Sequence, residues 1–517
     1  LLGSVLLVSG CHWFSQPPEP SSPPNVLLLT VDTLRRDRLG YVGEEAASTP
    51  HLDALAARGV AFTSAHASMP RTTPGLATLM TGRWPHHHGS REVREPMFDG
   101  VTTLAEVVQQ RGWATAGLTA NPAAAQSEHF DHGFEVFEAP RSRTPRLAEN
   151  ITARAVEVAQ AALDKGEDRP LFLWTHYYDP HFHYRPPYAW RDGGEGCDRA
   201  ARIEPDGRRT GNEGGISERV LADCVLRYDQ EVAYVDDAIG DLLAALPSLD
   251  DTRPWLIVFT SDHGENLGED DLWYQHGPSL HEASLGVPLV VAGPGVEEGA
   301  VDDRVARLED VAPTVLELLD LPVTSLGDRL DGISLVPRLS ARTRGGAEIP
   351  PAYAEGAGAL LASYRRVPFS GRPSGRYCVN EGRYAMCWRG DGEPELYDVD
   401  ADPGRQTDLS ATLPDVRRRF DAARARLGPH NTRPTSVRVG PWKLIDEVGF
   451  DGQHTRRLAH IEADPAETED RSADPEAPLA ELTALLDAWV EGIPPYQPGA
   501  WKDEAAAELL RELGYVE

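Results

Sequence analysis

Basic side chains are scarce in this chain: 50 Lys and Arg stand against 81 Asp and Glu, a formal net charge of -31 over 517 residues. Nucleic acid is therefore a poor partner, because a phosphate backbone demands a basic surface. An anionic substrate would have to be drawn in by local metal or arginine charge, against the field of the whole protein. Cysteine is sparse too, five in all, with none in the tight C-x-x-C pairs of a zinc site. No apolar run approaches the ~20 residues of a membrane-spanning helix. Hydrophobic content is an ordinary 41%, and the length suits one large domain with a smaller one appended.

Leu1 to Cys11 reads LLGSVLLVSGC, an apolar run closing on small residues before a cysteine, followed by a Pro- and Ser-rich stretch from Gln16 to Pro24. It resembles the end of a bacterial lipoprotein signal, in which Val8-Ser9-Gly10-Cys11 makes Cys11 the lipidated first residue of the mature chain. A secretory signal with an incidental cysteine is the alternative. Lack of an initiator Met and of a basic leading segment puts the expected start upstream. Either reading implies export. The first anchors the protein to a membrane of the bacterial cell envelope through Cys11, on the periplasmic or the outer surface. Export suits disulfides. Proximity suggests Cys197–Cys224 and Cys378–Cys387, one of the three pairings that four cysteines allow.

Asn25-Val-Leu-Leu-Leu-Thr-Val-Asp32 is an unbroken apolar run ending in a carboxylate, the pattern of a buried parallel strand whose carboxyl end lies where open α/β sheets place their chemistry. Further strands are expected at Leu171–Thr175, Trp255–Thr260 and Val287–Ala292. Helices are expected at Thr49–Gly59, Leu226–Leu246 and Glu309–Leu319. The alternation predicts an α/β fold, a doubly wound, mostly parallel sheet sandwiched by helices. The expected bounds are a signal and linker over 1–24, a catalytic domain over 25–342, and a smaller α+β C-terminal domain over 343–517. The Gly-, Arg- and Asp-rich stretch from Tyr188 to Ser217 reads as an insertion over the sheet edge. Gly382-Arg-Tyr-Ala…Asp400-Ala-Asp-Pro403 and Gly440-Pro-Trp-Lys…Glu462-Ala-Asp-Pro465 suggest a weak duplication in the C-terminal domain.

Several strand ends carry metal-competent residues. An Asp at a strand end is more often a turn residue than a ligand. Six histidines in two short windows (His176, His181 and His183; His263, His276 and His281), set beside carboxylates, favour metal or anion binding. The motifs Asn25-Val…Val-Asp-Thr-Leu-Arg35, Thr49-Pro-His-Leu-Asp…Phe62, Leu79-Met-Thr-Gly-Arg-Trp-Pro-His86 and Ser261-Asp-His-Gly-Glu265 resemble the sulfatase family, in that order. So do Leu285-Gly-Val-Pro-Leu289, Asp310-Val-Ala-Pro-Thr314, Asp331-Gly-Ile-Ser-Leu335 and the tail Glu395-Leu-Tyr-Asp…Asp-Pro403. The resemblance covers about Pro24 to Leu339. It implies a fold that hosts sulfatases, phosphatases, phosphodiesterases, phosphonate hydrolases and phosphoethanolamine transferases.

Departures from that pattern bear on the chemistry. Sulfatases carry Cys or Ser in a C/S-x-P-x-R motif, converted to formylglycine. Counting back from Thr81-Gly82 places Thr72 at that position, Pro74 at the proline and Leu76 at the arginine; Ser68-Met-Pro-Arg71 is four residues out of register. A hydrated aldehyde expels sulfate through its second hydroxyl, whereas Thr could yield only a poorly hydrated ketone. Thr72 is therefore expected to act as a plain alkoxide nucleophile beside a cation, with its ester opened by water. A second metal or a well-placed histidine would help that step. By resemblance, Asp32, Asp262 and His263 hold one or two divalent ions (Ca, Mg, Mn or Zn). Thr33 replaces the second acid of the usual Asp-Asp pair and His263 the usual Asn, which moves the set toward zinc-type phosphoesterases. The resemblance makes His181 the leaving-group or substrate-oxygen histidine and His276 a ligand or anion contact. Arg71 could replace the charge of a lysine whose position holds Pro278, and Asn121 could contact substrate.

The expected function is a metal-dependent hydrolase of sulfate, phosphate or phosphonate esters on a small-molecule, glycan or lipid substrate, through a covalent Thr72 intermediate. Absence of a formylglycine precursor favours phosphorus esters, while the resemblance keeps sulfate open. The alternatives are a phosphoethanolamine-type transferase acting on envelope lipid or glycan, and an inactive envelope binding protein. Oligomeric state is not readable from the sequence.

Overall fold

The apolar run at Asn25 forms strand β1 (Asn25–Val31), buried along its whole length. Its side chains alternate between two hydrophobic layers: Leu27, Leu29 and Val31 enter one, Val26 and Leu28 the other. A strand apolar on both faces belongs inside a sheet covered on both sides. That is its place in the computed structural model, which describes residues 22–43, 47–122, 130–140, 145, 147–165, 168–200, 218–269, 273–277, 279–347, 349–356, 376–381, 384–389, 395–398, 409–414, 433–448, 454–475 and 477–493.

The nine-stranded sheet runs in the order β10 (Ala300–Asp302), β2 (Gly59–His66), β9 (Gly286–Ala292), β6 (Trp255–Ser261), β1, β5 (Leu171–Tyr177), β3 (Ala114–Thr119) and β4 (Val136–Glu138), with β11 (Ala306–Arg307) also on β2. The run from β6 to β4 is parallel throughout. Helices Pro50–Ala56, Ala148–Leu163 and Glu218–Leu249 cover the Leu27 face, while Thr72–Thr81, Leu104–Gln110 and Val311–Leu318 cover the other. The chain is thus a mostly parallel α/β sandwich.

Several details differ from the sequence expectation. β9, which follows the short helix Glu282–Leu285, is antiparallel to both β2 and β6. β2 and β3 escape sequence detection because Ala, Gly, Ser and Thr dilute their apolar character; their burial comes from their neighbours. The expected insertion, in its described part, packs on the long helix Glu218–Leu249. The cause is visible: a disulfide joins Cys197, in the helix Glu195–Ala200, to Cys224 of the long helix.

Beyond the main sheet, β7 (Asn266–Leu267) and β8 (Trp273–Gln275) make a small antiparallel pair. β12 (Ala352–Glu355), β16 (Thr435–Val439), β17 (Trp442–Val448) and β18 (His454–His460) form a second antiparallel sheet. β13 (Arg376–Glu381), β14 (Tyr384–Arg389) and β15 (Glu395–Asp398) form a third. Helix Leu479–Glu491 seals the four-stranded sheet by burying Leu482, Leu486 and Trp489 against Val437, Leu444 and Leu458. The stretches at Gly382 and Gly440 lead into β14 and β17, the middle strands of two antiparallel meanders. The register of β13 and β14 sets Cys378 opposite Cys387. Their proposed bond lies outside the described residues, as do the leader with Cys11, Pro278, and residues 382–383 and 399–408. Among the described residues no helix is long and apolar enough to cross a membrane.

Candidate active site

Strand register sets the centre of the site. Val31 of β1 pairs with Ser261 of β6, so the next residues, Asp32 and Asp262, leave the sheet side by side at its carboxyl edge. Both are fully buried. Asp262 Oδ1 accepts the backbone N–H groups of Thr33 (3.2 Å) and His263 (2.9 Å). Its Oδ2 has no hydrogen-bond partner and lies 3.4 Å from His263 Nε2. Thr33 sits at φ 56, strained for a β-branched residue, in the turn that directs its N–H onto Asp262.

His263 Nδ1 lies 2.8 Å from the Gly264 carbonyl oxygen. A carbonyl can only accept, so Nδ1 carries the proton and Nε2 keeps its lone pair. That nitrogen is 3.3 Å from Thr72 Oγ1 and 3.8 Å from Asp32 Oδ1. Thr72 begins the buried helix Thr72–Thr81, and Gly75 allows the helix its close approach. A Cβ on Gly75 would stand 2.5 Å from the Asp262 carbonyl oxygen.

Ligand atoms of Asp32, Asp262 and His263 lie within 4.8 Å of one another. Donors around a small tetrahedral ion sit ~3.3 Å apart, so the observed separations need only slight closure. Burial pushes Asp262 upward and the charge of Asp32 adds to it. Burial also opposes ionisation of Asp32, but the His176 hydrogen bond, with the imidazoles of His181, His176 and His263 close by, holds that carboxyl low. Two adjoining buried carboxylates do not both ionise cheaply without a cation between them. The unpartnered Asp262 oxygen, the oriented imidazole and this frustrated acid pair together fit a divalent ion.

The remaining expected residues stand around this cluster. His181, in the turn after β5, has Nδ1 at 2.6 Å from the Phe182 carbonyl oxygen and 2.9 Å from the Tyr178 hydroxyl. His276 lies beside the cluster, not within it: its ring centroid is 4.4 Å from that of His263 and 5.2 Å from that of His181. Burial lowers both imidazoles, strongly for His276, where His263, His181 and Arg71 add to the effect. Arg71, buried just before Thr72, brings its guanidinium against Gly277. Asn121 donates its amide to Asp32 Oδ2 (2.5 Å), which ties it to a carboxylate of the cluster.

Two more residues also belong here, one that the sequence reading placed only in a group of histidines and one that it gave no role. His176, at the end of β5, is paired in register with Thr30, whose Oγ1 lies 3.0 Å from its Nδ1; its Nε2 is 3.6 Å from Asp32 Oδ2. Glu265, fully buried, meets His276 Nδ1 at 3.1 Å. A histidine closing a strand beside the Asp32 strand was the available signal for the first. For the second, no local pattern separates a buried partner from a solvated acid.

The chain is 23% identical to arylsulfatase K of Gallus gallus, over 81% of this chain and 85% of that one. It is 25% identical to choline-sulfatase of Rhizobium meliloti (strain 1021), over 75% and 82%. Its fold superposes on the phosphonate monoester hydrolase of Silicibacter pomeroyi with a TM-score of 0.60 at 19% identity, covering 90% of this chain and 94% of that one. The Sulfatase family profile matches residues 24–321, the span that carries the sheet, the cluster and Thr72. With more than half of its length so matched, the chain belongs to the sulfatase family of ester hydrolases.

Proposed function

We propose that this chain hydrolyses a phosphate or phosphonate ester through a covalent ester on Thr72, with Asp32, Asp262 and His263 holding a divalent metal. The observation that carries the reading is the convergence of Thr72 Oγ1 on His263 Nε2 at 3.3 Å, inside a buried ligand set. A divalent ion bound there would lower the pKa of the Thr72 hydroxyl and offset charge on the ester oxygens. Phosphorus is favoured because threonine is no precursor of the aldehyde hydrate that sulfate expulsion uses.

The chain's own groups divide the work. Thr72 Oγ1 gives up its proton to solvent water and forms the new bond to phosphorus as the opposite bond, from phosphorus to the leaving oxygen, breaks and its electron pair goes to that oxygen. Its place at a helix N-terminus adds a positive dipole end beside the transferred group. The Arg71 guanidinium, next in sequence to Thr72, supplies local positive charge for an anionic ester. His181 faces the leaving oxygen; the arriving anion favours its imidazolium form, from which Nε2–H protonates that oxygen as it departs.

The test is a panel of aryl phosphate monoesters and diesters, phosphonates and sulfates, run with Mg, Ca, Mn and Zn, followed by acid quench and peptide mass spectrometry. The expected result is turnover of a phosphorus ester and a phosphorus adduct on the peptide containing Thr72. An adduct on Ser68, or turnover of sulfates alone, would sink the reading.

A further inference from the structure

The helix that opens with Thr72 begins without a capping side chain, since Arg71 at its N-cap makes no such bond. N–H groups in the first turn of a helix have no acceptor within it, and ends left so fray. A capping oxygen would occupy the N–H of the second or third residue. Those are the groups that a helix start offers to an anion. Thr73, fully buried, fixes this turn from the side: its Oγ1 accepts the backbone N–H of Arg94 at 2.9 Å.

The donor is itself held in place. Arg94 has φ 66, in the left-handed region where a non-glycine residue is uncommon and persists only when its surroundings determine it. Within the strap from Arg91 to Glu95, the Arg91 N–H donates to Glu95 Oε2 (2.8 Å) and the Glu95 N–H to the Glu92 carbonyl (3.1 Å). The C-terminal sheet grips this strap. Arg91 Nε donates to Glu355 Oε1 (3.0 Å), and Arg433, just before β16, donates to Glu92 Oε1 (2.6 Å) and to the Arg91 carbonyl (3.2 Å). The body of the helix is secured elsewhere, with Thr78 Oγ1 at 3.1 Å from both His88 Nε2 and Ser68 Oγ. Thr73 therefore governs the first turn, where Thr72 stands.

We propose that Thr73 is a positioning residue for the nucleophile, held by the strap and so by the C-terminal sheet; this rests on the Thr72 reading. Its bond to the Arg94 N–H fixes the first turn at the angle that sets Thr72 Oγ1 3.3 Å from His263 Nε2. In-line attack tolerates little error, and a misplacement of ~1 Å costs about 10²-fold. Without that acceptor the first turn is free to shift, while the groups that hold metal and substrate stay where they are.

The test uses the metal-loaded full chain in excess over an aryl phosphonate or phosphate ester that the panel shows to be turned over. Phenol release then reports formation of the Thr72 ester alone. Thr73→Val, which keeps the shape and removes the acceptor, should slow that release by about 10 to 100-fold, with substrate affinity and metal content unchanged. Thr73→Ser, which keeps the acceptor, should recover most of the rate. Glu92→Gln, at the far end of the strap, should slow the same step less and add little to Thr73→Val. An unchanged rate in Thr73→Val, equal slowing in Thr73→Ser, or loss of metal in either overturns the positioning role. Full multiplication of the Glu92→Gln and Thr73→Val effects removes the C-terminal sheet from it. A wild type that turns over with no Thr72 adduct after acid quench overturns the Thr72 reading itself, and this role with it.

Discussion

Two buried clusters of charge lie at the two ends of the segment from Asp262 to Glu282, and they are finished differently. At Glu282 both carboxylate oxygens are answered. Oε2 meets Arg36 at 2.5 Å, Arg438 at 2.8 Å and His66 at 3.2 Å, and Oε1 meets Lys443 at 3.0 Å. Despite burial, His66, Lys443, Arg438 and Arg36 hold its carboxyl well below the usual range. Arg438 and Lys443 come from β16 and β17, so the cluster fastens the C-terminal sheet to the catalytic one. At Asp32 and Asp262, two acids adjoin, one oxygen has no partner, and the nearest imidazole offers a lone pair. Burial of charge is common to both clusters. What sets the second apart is the absence of any Lys or Arg among the described partners of its two acids.

Breaking each cluster should therefore give opposite outcomes. The largest effect belongs to the open one: Thr72→Ala should cut kcat/KM by at least about 10⁴-fold and leave the unfolding midpoint in place, read by steady-state kinetics beside calorimetry. Glu282→Gln should do the reverse. Breaking a buried ion cluster costs about 3–5 kcal/mol, measured by denaturant unfolding, and kcat of the folded fraction should be largely retained.

A second closed pair sharpens the contrast through pH. Glu355 of β12 is buried against Arg91. Burial opposes its charge, but Arg91 and Arg433 hold the carboxyl at about 2, below its ordinary 4.5. A depressed acid contributes stability above the unfolded pKa and loses it as pH falls through the folded one. Glu355→Gln should thus remove about 3 kcal/mol at neutral pH and flatten the stability curve between pH 4.5 and 2. The smallest expected effect lies behind the open cluster. Asn121→Ala, which frees Asp32 Oδ2, should weaken metal affinity by about 10 to 100-fold, read by metal titration, with little change in stability.

Much of this contrast was visible along the chain only at one end. Asp32 and the Asp262-His263 pair could be read because each follows an apolar strand, and strand ends of open α/β sheets gather at one edge. The Glu282 cluster could not, since Arg36, His66, Arg438 and Lys443 carry no shared local pattern. His176 needed the pairing of β5 with β1, and Glu265 needed the return of the chain through β8 to His276. β2 and β3 were hidden for the matching reason: their burial is imposed by neighbours, and their own apolar content is weak.

Residue order by itself determined the α/β class, the strand ends that carry Asp32 and Asp262-His263, and the threonine at position 72. A buried strand must be apolar throughout its length, and side-chain chemistry is local. Tertiary structure alone decided which oxygen of Asp262 stays unpartnered, which nitrogen of His263 holds the proton, and which histidine has a carboxyl group behind it. Those choices depend on groups as far apart as the 229 positions between Thr33 and Asp262, brought together by parallel register and helix packing that no local pattern encodes.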